Sequence, residues 1–243
     1  MGALLEVEGL CKHFGAVTVA DALTFSLETG TCLGVIGPNG AGKTSLFNLI
    51  AGTLSPNAGT IRFNGREITR LPVHKRARLG IVRAFQIPQP FPHLSVYENL
   101  LIAACYGGGL TRSQAQNWAV DVLDRVGLID KAEALAGPLS FIDRKRLELA
   151  KALASKAQVL LLDEIAGGLT EPEVEELTAL ISTLKMHHAL MWIEHIPHAL
   201  KAAADRILVL HFGSTLLEGP PSEVMNSPVV RKIYMGLADD EAA

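Results

Sequence analysis

The sequence predicts an α/β protein with a mostly parallel sheet, an N-terminal antiparallel β subdomain and an inserted α-helical subdomain. Three observations predict this class. Short apolar runs with strand character alternate with helical patterns in the last third of the chain, and the first residues alternate between apolar and polar side chains. Three segments between residues 96 and 154 show helical spacing of leucine, valine and alanine. Because 49% of the 243 residues are hydrophobic and 19% are charged, disorder over most of the length is excluded.

The first third of the chain is predicted to contain five strands and one helix. The strands cover 4–10, 24–27, 31–36, 60–63 and 81–86, and the helix covers 43–51, where Gly52 ends it. The dipeptide Asn64-Gly65 is typical of a hairpin turn.

The segment 87–92 contains three prolines, which exclude a helix or a central strand there. Helices are predicted over 96–104, 112–126 and 144–154. Strands at 159–162, 190–193 and 207–210 then alternate with helices at 172–186 and 197–203, which predicts parallel strands joined by crossovers. We therefore expect one domain over 1–243, in which 1–86 and 151–243 form the sheet core and 87–150 form a helical lobe.

A glycine-rich segment follows the predicted strand 31–36 and precedes the predicted helix. It reads Gly37-Pro-Asn-Gly-Ala-Gly-Lys-Thr44 and matches G-x-x-x-x-G-K-[ST]. Its backbone amides and the helix N-terminus are predicted to bind a polyphosphate. Lys43 is predicted to contact the β- and γ-phosphates, and Thr44 to coordinate Mg²⁺. The alternative is a glycine-rich turn without a ligand. Such a turn needs neither a strand before it nor a helix after it, and this segment has both. The predicted nucleotide-binding residues are Gly37, Pro38, Asn39, Gly40, Ala41, Gly42, Lys43, Thr44 and Ser45.

A second motif is the apolar run 159–162, which ends in Asp163 and Glu164. Such a run is typical of a buried strand that brings carboxylates to its C-terminal edge, where ligands of parallel sheets bind. Asp163 is predicted to hold Mg²⁺ through water, and Glu164 to act as general base on the attacking water.

Over nearly all of its length, the chain resembles the nucleotide-binding subunit of an ABC transporter. The resemblance implies that Gln86 in Arg-Ala-Phe-Gln opens the helical lobe as a catalytic residue and metal ligand. It implies that His195 in Trp-Ile-Glu-His contacts the γ-phosphate, and that Phe14 in Lys-His-Phe-Gly stacks on adenine. Taken alone, Gln86 could anchor a loop, while Phe14 and His195 could be core residues.

Two passages, 83–100 and 209–234, look most like the subunits of importers for branched-chain and other hydrophobic amino acids. The resemblance therefore implies an ATP-hydrolysing subunit that powers an importer of such amino acids or related small organic solutes, with ATP and Mg²⁺ as cofactors. The implied partners are transmembrane permease subunits, a second ATP-binding subunit and, indirectly, a substrate-binding protein. The implied location is peripheral, on the cytoplasmic face of the inner membrane.

The chain departs from the family at the signature Leu-Ser-Gly-Gly-Gln, whose serine binds the nucleotide held by the opposite subunit. Here it reads Leu139-Ser140-Phe141-Ile142-Asp143. The β-branched Ile142 stands where backbone approaches phosphate, and Asp143 adds negative charge, although Ser140 and Asp143 resemble a helix-capping pair. We expect Ser140 to be a nucleotide contact, and the altered signature predicts a heteromeric pair of ATP-binding subunits. The alternative is a regulatory module that binds ATP with little turnover.

Charge and cysteine content narrow the function classes further. With 22 basic and 25 acidic residues, the net charge of -3 argues against a nucleic-acid-coating protein, and we expect no nucleic-acid partner. ABC ATPases of DNA repair carry long insertions for which 243 residues leave no room. The three cysteines lack metal-ligand spacing, and the N-terminus is not typical of a signal peptide. The acidic residues 239–241 are predicted to be a frayed terminus.

A basic run in the first third of the chain leaves two interpretations open: a solvated face, or a surface attracted to anionic lipid or to transporter loops. Its members are Arg66, Arg70, Lys75, Arg76, Arg78 and Arg83.

Overall fold

A computed structural model describes residues 2–235 and contains two β-sheets. The first sheet is antiparallel and has the strand order β2-β1-β4-β5. Its strands are β1 (Leu5–Phe14), β2 (Val17–Leu27), β4 (Ala58–Phe63) and β5 (Arg66–Glu67). This sheet is the predicted N-terminal antiparallel subdomain.

The second sheet has six strands in the order β10-β9-β3-β8-β7-β6. Five strands are parallel, and β10 pairs antiparallel with β9 at one edge. The central strands are buried on both faces, which explains why they read as continuous apolar runs. The strands are β3 (Cys32–Ile36), β6 (Ile81–Ala84), β7 (Val159–Asp163), β8 (Ala189–Ile193), β9 (Arg206–His211) and β10 (Ser214–Gly219).

The helices divide between the two faces of this second sheet. One apolar cluster joins the antiparallel sheet, the helix after β3, the helix before β6 and one face of the second sheet. The other joins the opposite face to the helices that follow β6. The helices are α1 (Lys43–Ala51), α2 (Val73–Leu79), α3 (Val96–Ile102), α4 (Arg112–Arg125), α5 (Phe141–Ala154), α6 (Glu171–Lys185), α7 (Pro197–Ala203), α8 (Pro221–Asn226) and α9 (Pro228–Met235). A π-helical turn at Ala103–Gly107 continues α3, and a 3₁₀ turn lies at Ile129–Lys131.

The predicted fold class is confirmed, and the differences from the predicted elements are local. Helix α2 was not predicted, because its sequence VHKRARL is rich in basic residues and lacks an apolar stripe. Helix α5 starts three residues earlier than predicted, because the Ser140 side chain accepts from the backbone N–H of Asp143 and caps the helix. Strand β6 ends at Ala84, so Gln86 lies beyond the strand. The acidic residues 239–241 lie outside the described residues.

For Arg76 and Arg83, both interpretations of the basic run are wrong. The Arg76 side chain is buried, and its guanidinium donates to four backbone carbonyls. Arg83 pairs with Asp163 inside the site described below. The members Arg66, Arg70, Lys75 and Arg78 are exposed. Across residues 2–235, we find no helix with the length and apolarity needed to cross a membrane.

Candidate nucleotide-binding site

The glycine-rich loop connects β3 to α1 at the edge of the sheet where the parallel strands end. Gly37 and Gly42 have φ values of 155° and 102°. A Cβ atom at Gly37 would lie 2.2 Å from the carbonyl oxygen of Leu210, and one at Gly42 would lie 2.3 Å from that of Val19. Because backbone occupies the space where a side chain would start, both positions require glycine.

Lys43 fixes the shape of this loop from inside. Its Nζ donates to the carbonyl oxygens of Gly37 (2.7 Å) and Pro38 (3.1 Å). Burial lowers the pKa of Lys43, and the negative charges of Glu164 and Asp163 oppose that shift. The loop therefore curls around an ammonium group at the N-terminus of α1, an arrangement that suits anionic phosphate oxygens. Thr44 is exposed beside it, and the loop residues 39–45 line one groove with Val17, Val19 and Glu164.

Glu164 lies directly after β7 and is held by both other predicted catalytic side chains. Its Oε1 lies 2.7 Å from Nε2 of His195, and its Oε2 accepts a hydrogen bond of 2.7 Å from Nε2 of Gln86. Its backbone has φ of 47°, a left-handed conformation that non-glycine residues adopt at a cost and that recurs at functional sites. The structure thus brings together three residues that are far apart in the sequence.

Asp163, the last residue of β7, forms an ion pair with Arg83 of β6. The second terminal nitrogen of Arg83 donates to Oδ1 of Asn48 on α1 (2.7 Å), and its guanidinium lies 5.0 Å from the centre of the Phe85 ring. Arg83 and Asn48 were missed as site residues. The available signal was a basic residue in a short strand that is otherwise apolar, since such a charge needs a buried partner.

Glu194 is a second residue that the sequence reasoning missed. Its side chain is buried and accepts from the backbone N–H groups of His195 (2.8 Å) and Ala166 (3.2 Å). Burial raises the pKa of Glu194, and these two hydrogen bonds oppose the shift. The carboxyl group therefore ties the loop after Glu164 to the end of β8, behind the pair formed by Glu164 and His195.

Phe14 and Ser140 lie outside this cluster of contacts. Phe14 ends β1 and is 52% exposed, with Nζ of Lys12 lying 4.9 Å from its ring centre, so its interpretation as a core aromatic is wrong. The Ser140 hydroxyl donates to Oδ2 of Asp143 (2.6 Å), as expected for a capping pair. Lys131 also contacts Asp143. Burial alone would raise the pKa of Asp143, but hydrogen bonds from Lys131 and Ser140 outweigh it and hold the pKa below its ordinary value.

Comparison with known proteins places this geometry in a family. The family model described as "ABC transporter" matches residues 20–167. The high-affinity branched-chain amino acid transport ATP-binding proteins LivG of Salmonella typhimurium and BraF of Pseudomonas aeruginosa are each 36% identical to this chain, over 97% of it and 98% of their own length. These relatives are named as transport ATP-binding proteins and do not favour the regulatory-module alternative.

A solved structure shows the same architecture. The ADP conformation of MJ1267, an ATP-binding cassette of an ABC transporter, aligns with a TM-score of 0.88 and 28% identity over 98% of this chain and 100% of its own. The chain therefore belongs to the ABC transporter family, as an ATP-binding subunit that hydrolyses ATP.

Proposed function

We propose that this chain powers the import of branched-chain amino acids or related small organic solutes through an ABC transporter. ATP hydrolysis as the energy source is supported by the position of Glu164, which lies between Gln86 and His195 on the groove formed by the glycine-rich loop. The substrate class is supported by LivG and BraF, which are named for branched-chain amino acids and match almost the whole chain.

The loop residues 37–45 are proposed to bind the phosphates of ATP. Lys43 would exchange its carbonyl partners for β- and γ-phosphate oxygens, while the backbone amides and the N-terminus of α1 stabilise the remaining charge. Phe14 is proposed to stack on adenine, because its ring is exposed at the end of β1.

The proposed Mg²⁺ site consists of the Thr44 hydroxyl, the Gln86 amide oxygen and, through water, the Asp163 carboxylate. These oxygen donors fit Mg²⁺, which typically uses one or two carboxylates together with substrate phosphates. No group of three or more His, Cys, Asp or Glu within residues 2–235 is arranged to hold a metal ion. When bound, the ion neutralises charge on the phosphates.

In the proposed reaction, a water oxygen bonds to the γ-phosphorus, the bond from that phosphorus to the bridging oxygen breaks, and ADP leaves. Glu164 accepts the proton of the attacking water. His195 and Gln86 hold the two carboxylate oxygens of Glu164, and His195 is proposed to contact the γ-phosphate.

The proposed assembly contains permease subunits, a second ATP-binding subunit and, indirectly, a substrate-binding protein, at the cytoplasmic face of the inner membrane. We propose one ABC ATPase domain, in which 1–86 and 151–243 form the core and the lobe 87–150 transmits motion to the permease. No nucleic acid takes part in this proposal.

The altered signature supports a heteromeric pair of ATP-binding subunits. The Ser140 hydroxyl, which would bind the partner's nucleotide, already bonds to the buried carboxylate of Asp143. Ile142 adds a branched side chain beside it. A homodimer would contain this altered half-site twice, whereas a partner with an ordinary signature would complete the site built on Lys43 and Glu164.

Reconstitution in proteoliposomes with the permease and the second ATP-binding subunit tests the function. We expect ATP-dependent uptake of leucine, isoleucine or valine, which Glu164→Gln in this chain abolishes. The matching change in the partner should cost much less. ATP-driven uptake of an unrelated solute only would overturn the substrate class. Equal losses from the two changes, or robust hydrolysis by a homodimer, would overturn the asymmetric pairing.

A further inference from the structure

Helix α5, which is capped by Ser140, also lies against the site. Phe141 in its first turn packs on Gly168, where an added Cβ would lie 3.1 Å from Cε1 of the ring. Arg146 forms an ion pair with Glu176 of α6 at 2.7 Å. Between these two contacts, Nζ of Lys145 donates to the backbone carbonyl oxygen of Gln86 at 2.7 Å.

The Lys145 contact is unusual because the lysine is almost completely buried, with 1% of its surface exposed. Its hydrogen-bond acceptor is a neutral carbonyl, while Glu194, Glu148 and Glu164 attract its charge from a greater distance. A buried ammonium group is costly unless its contacts compensate. The ammonium group also lies 5.0 Å from the centre of the Phe141 ring, a favourable contact for a cation.

We propose that Lys145 is a positioning residue for ATP hydrolysis, which holds the backbone of Gln86 so that the Gln86 side chain reaches Glu164. The inference rests on the proposed roles of Gln86 and Glu164. Two consecutive contacts carry it, from Lys145 to the Gln86 carbonyl and from the Gln86 amide to Oε2 of Glu164, each 2.7 Å long. The helix that presents Ser140 is thereby linked to the general base.

The same helix offers a matched control. Nζ of Lys151 also donates 2.7 Å to a backbone carbonyl of the proline-rich segment, that of Gln89, and it pairs with Glu148. Lys151 therefore also fastens α5 to this segment through a carbonyl, but at a residue that does not contact Glu164, and its side chain is 20% exposed. If fastening the segment were the whole role of Lys145, losing either hydrogen bond should affect turnover alike.

The first test compares Lys145→Met with Lys151→Met in the complete transporter complex, by steady-state ATP hydrolysis and by binding of a fluorescent ATP analogue. Losing a hydrogen bond from a charged group at this point should lower kcat about tenfold to a hundredfold in Lys145→Met. The KM for ATP and the analogue affinity should stay near the wild-type values, because the glycine-rich loop is unchanged. Lys145→Arg should restore most of kcat, and Lys151→Met should keep it. Equal kcat losses from the two methionine variants would overturn the proposal.

The second test is a double-mutant cycle with Gln86→Ala. If Lys145 acts through Gln86, Lys145→Met should lower kcat little further in the Gln86→Ala background, whereas independent effects would multiply. If the kcat losses of the two single variants multiply in the double variant, the proposed role of Lys145 is overturned, but that of Gln86 is not. A Gln86→Ala protein with full turnover would instead overturn the proposed role of Gln86, and Lys145 with it. If thermal unfolding shows that Lys145→Met does not fold, Lys145→Gln takes its place in the cycle with the same expectations, because its uncharged amide ends one bond short of the position from which Nζ donates to the Gln86 carbonyl.

Discussion

Replacing Arg76 by methionine should destabilise the protein severely, although four other members of its basic run face solvent. Its guanidinium donates to the carbonyl oxygens of Leu71 (2.9 Å), Leu49 (2.6 Å), Ile50 (2.8 Å) and Thr69 (2.7 Å). Two of these oxygens belong to the last turn of α1, which has no intrahelical partners for them. A cation at that end also suits the helix dipole. The side chain thus fastens α2 to the helix that begins at the glycine-rich loop.

The size of the effect follows from these contacts. Methionine fills the stem of the side chain but leaves the four carbonyls without their donor. Hydrogen bonds to a charged group contribute about 1.5–3 kcal/mol each, but four bonds to one cation do not add independently. Leaving a buried acceptor without a donor costs about 1–3 kcal/mol, so we expect a loss of about 3–5 kcal/mol for the four carbonyls together. For a chain of this size, that loss lowers Tm by about 6–20 °C. Burial lowers the pKa of Arg76 to about 10, so it remains a cation at neutral pH.

Thermal and urea unfolding of the purified chain measure this loss. The matched control is Arg78→Met, which removes an exposed arginine from the same helix. It should change the free energy of unfolding by less than about 0.5 kcal/mol. Equal stability of the two variants would refute the reasoning, since the buried hydrogen bonds would then contribute no more than an exposed charge.

Three further predictions concern the site and the signature. Glu164→Gln should lower turnover about 10²- to 10⁴-fold while ATP binding remains, because the amide cannot accept the proton; wild-type turnover would reject the general base. Lys43→Ala should weaken ATP binding roughly tenfold to a hundredfold in equilibrium titrations, and undiminished affinity would contradict its phosphate role. The pKa of Asp143 is lower in the folded chain than its ordinary value of 3.8. Ionised Asp143 therefore stabilises the fold at pH values above 3.8, and this stabilisation is lost as the pH falls through the pKa of the folded chain. The difference in urea stability between wild type and Asp143→Asn should therefore shrink on acidification below about pH 4, and a pH-independent difference would contradict it.

Most of the fold was predictable because burial and local sequence agree. The parallel strands are apolar on both faces, and the helix at 43–51 has the predicted bounds. Helix α2 was not predictable from periodicity, because its stability depends on one arginine that reaches into a neighbouring helix. Glu164, Gln86 and His195 were each singled out, the first through a motif and the other two through a resemblance. Arg83, Lys145 and Glu194 were not, because a buried charge is recognisable only when its partners from distant parts of the chain are known.

The close approach of backbone to Gly37 and Gly42 has a consequence for affinity. Strands β9 and β2 contact the glycine-rich loop at these two points, and Ala41 accepts a hydrogen bond of 3.0 Å from the N–H of Gly213. The loop is therefore preorganised: its conformational entropy is lost when the chain folds, and nucleotide binding does not have to order it again. Affinity for nucleotide should accordingly depend on residues of β2 and β9 that do not touch the phosphates, through the rigidity of the loop that they support.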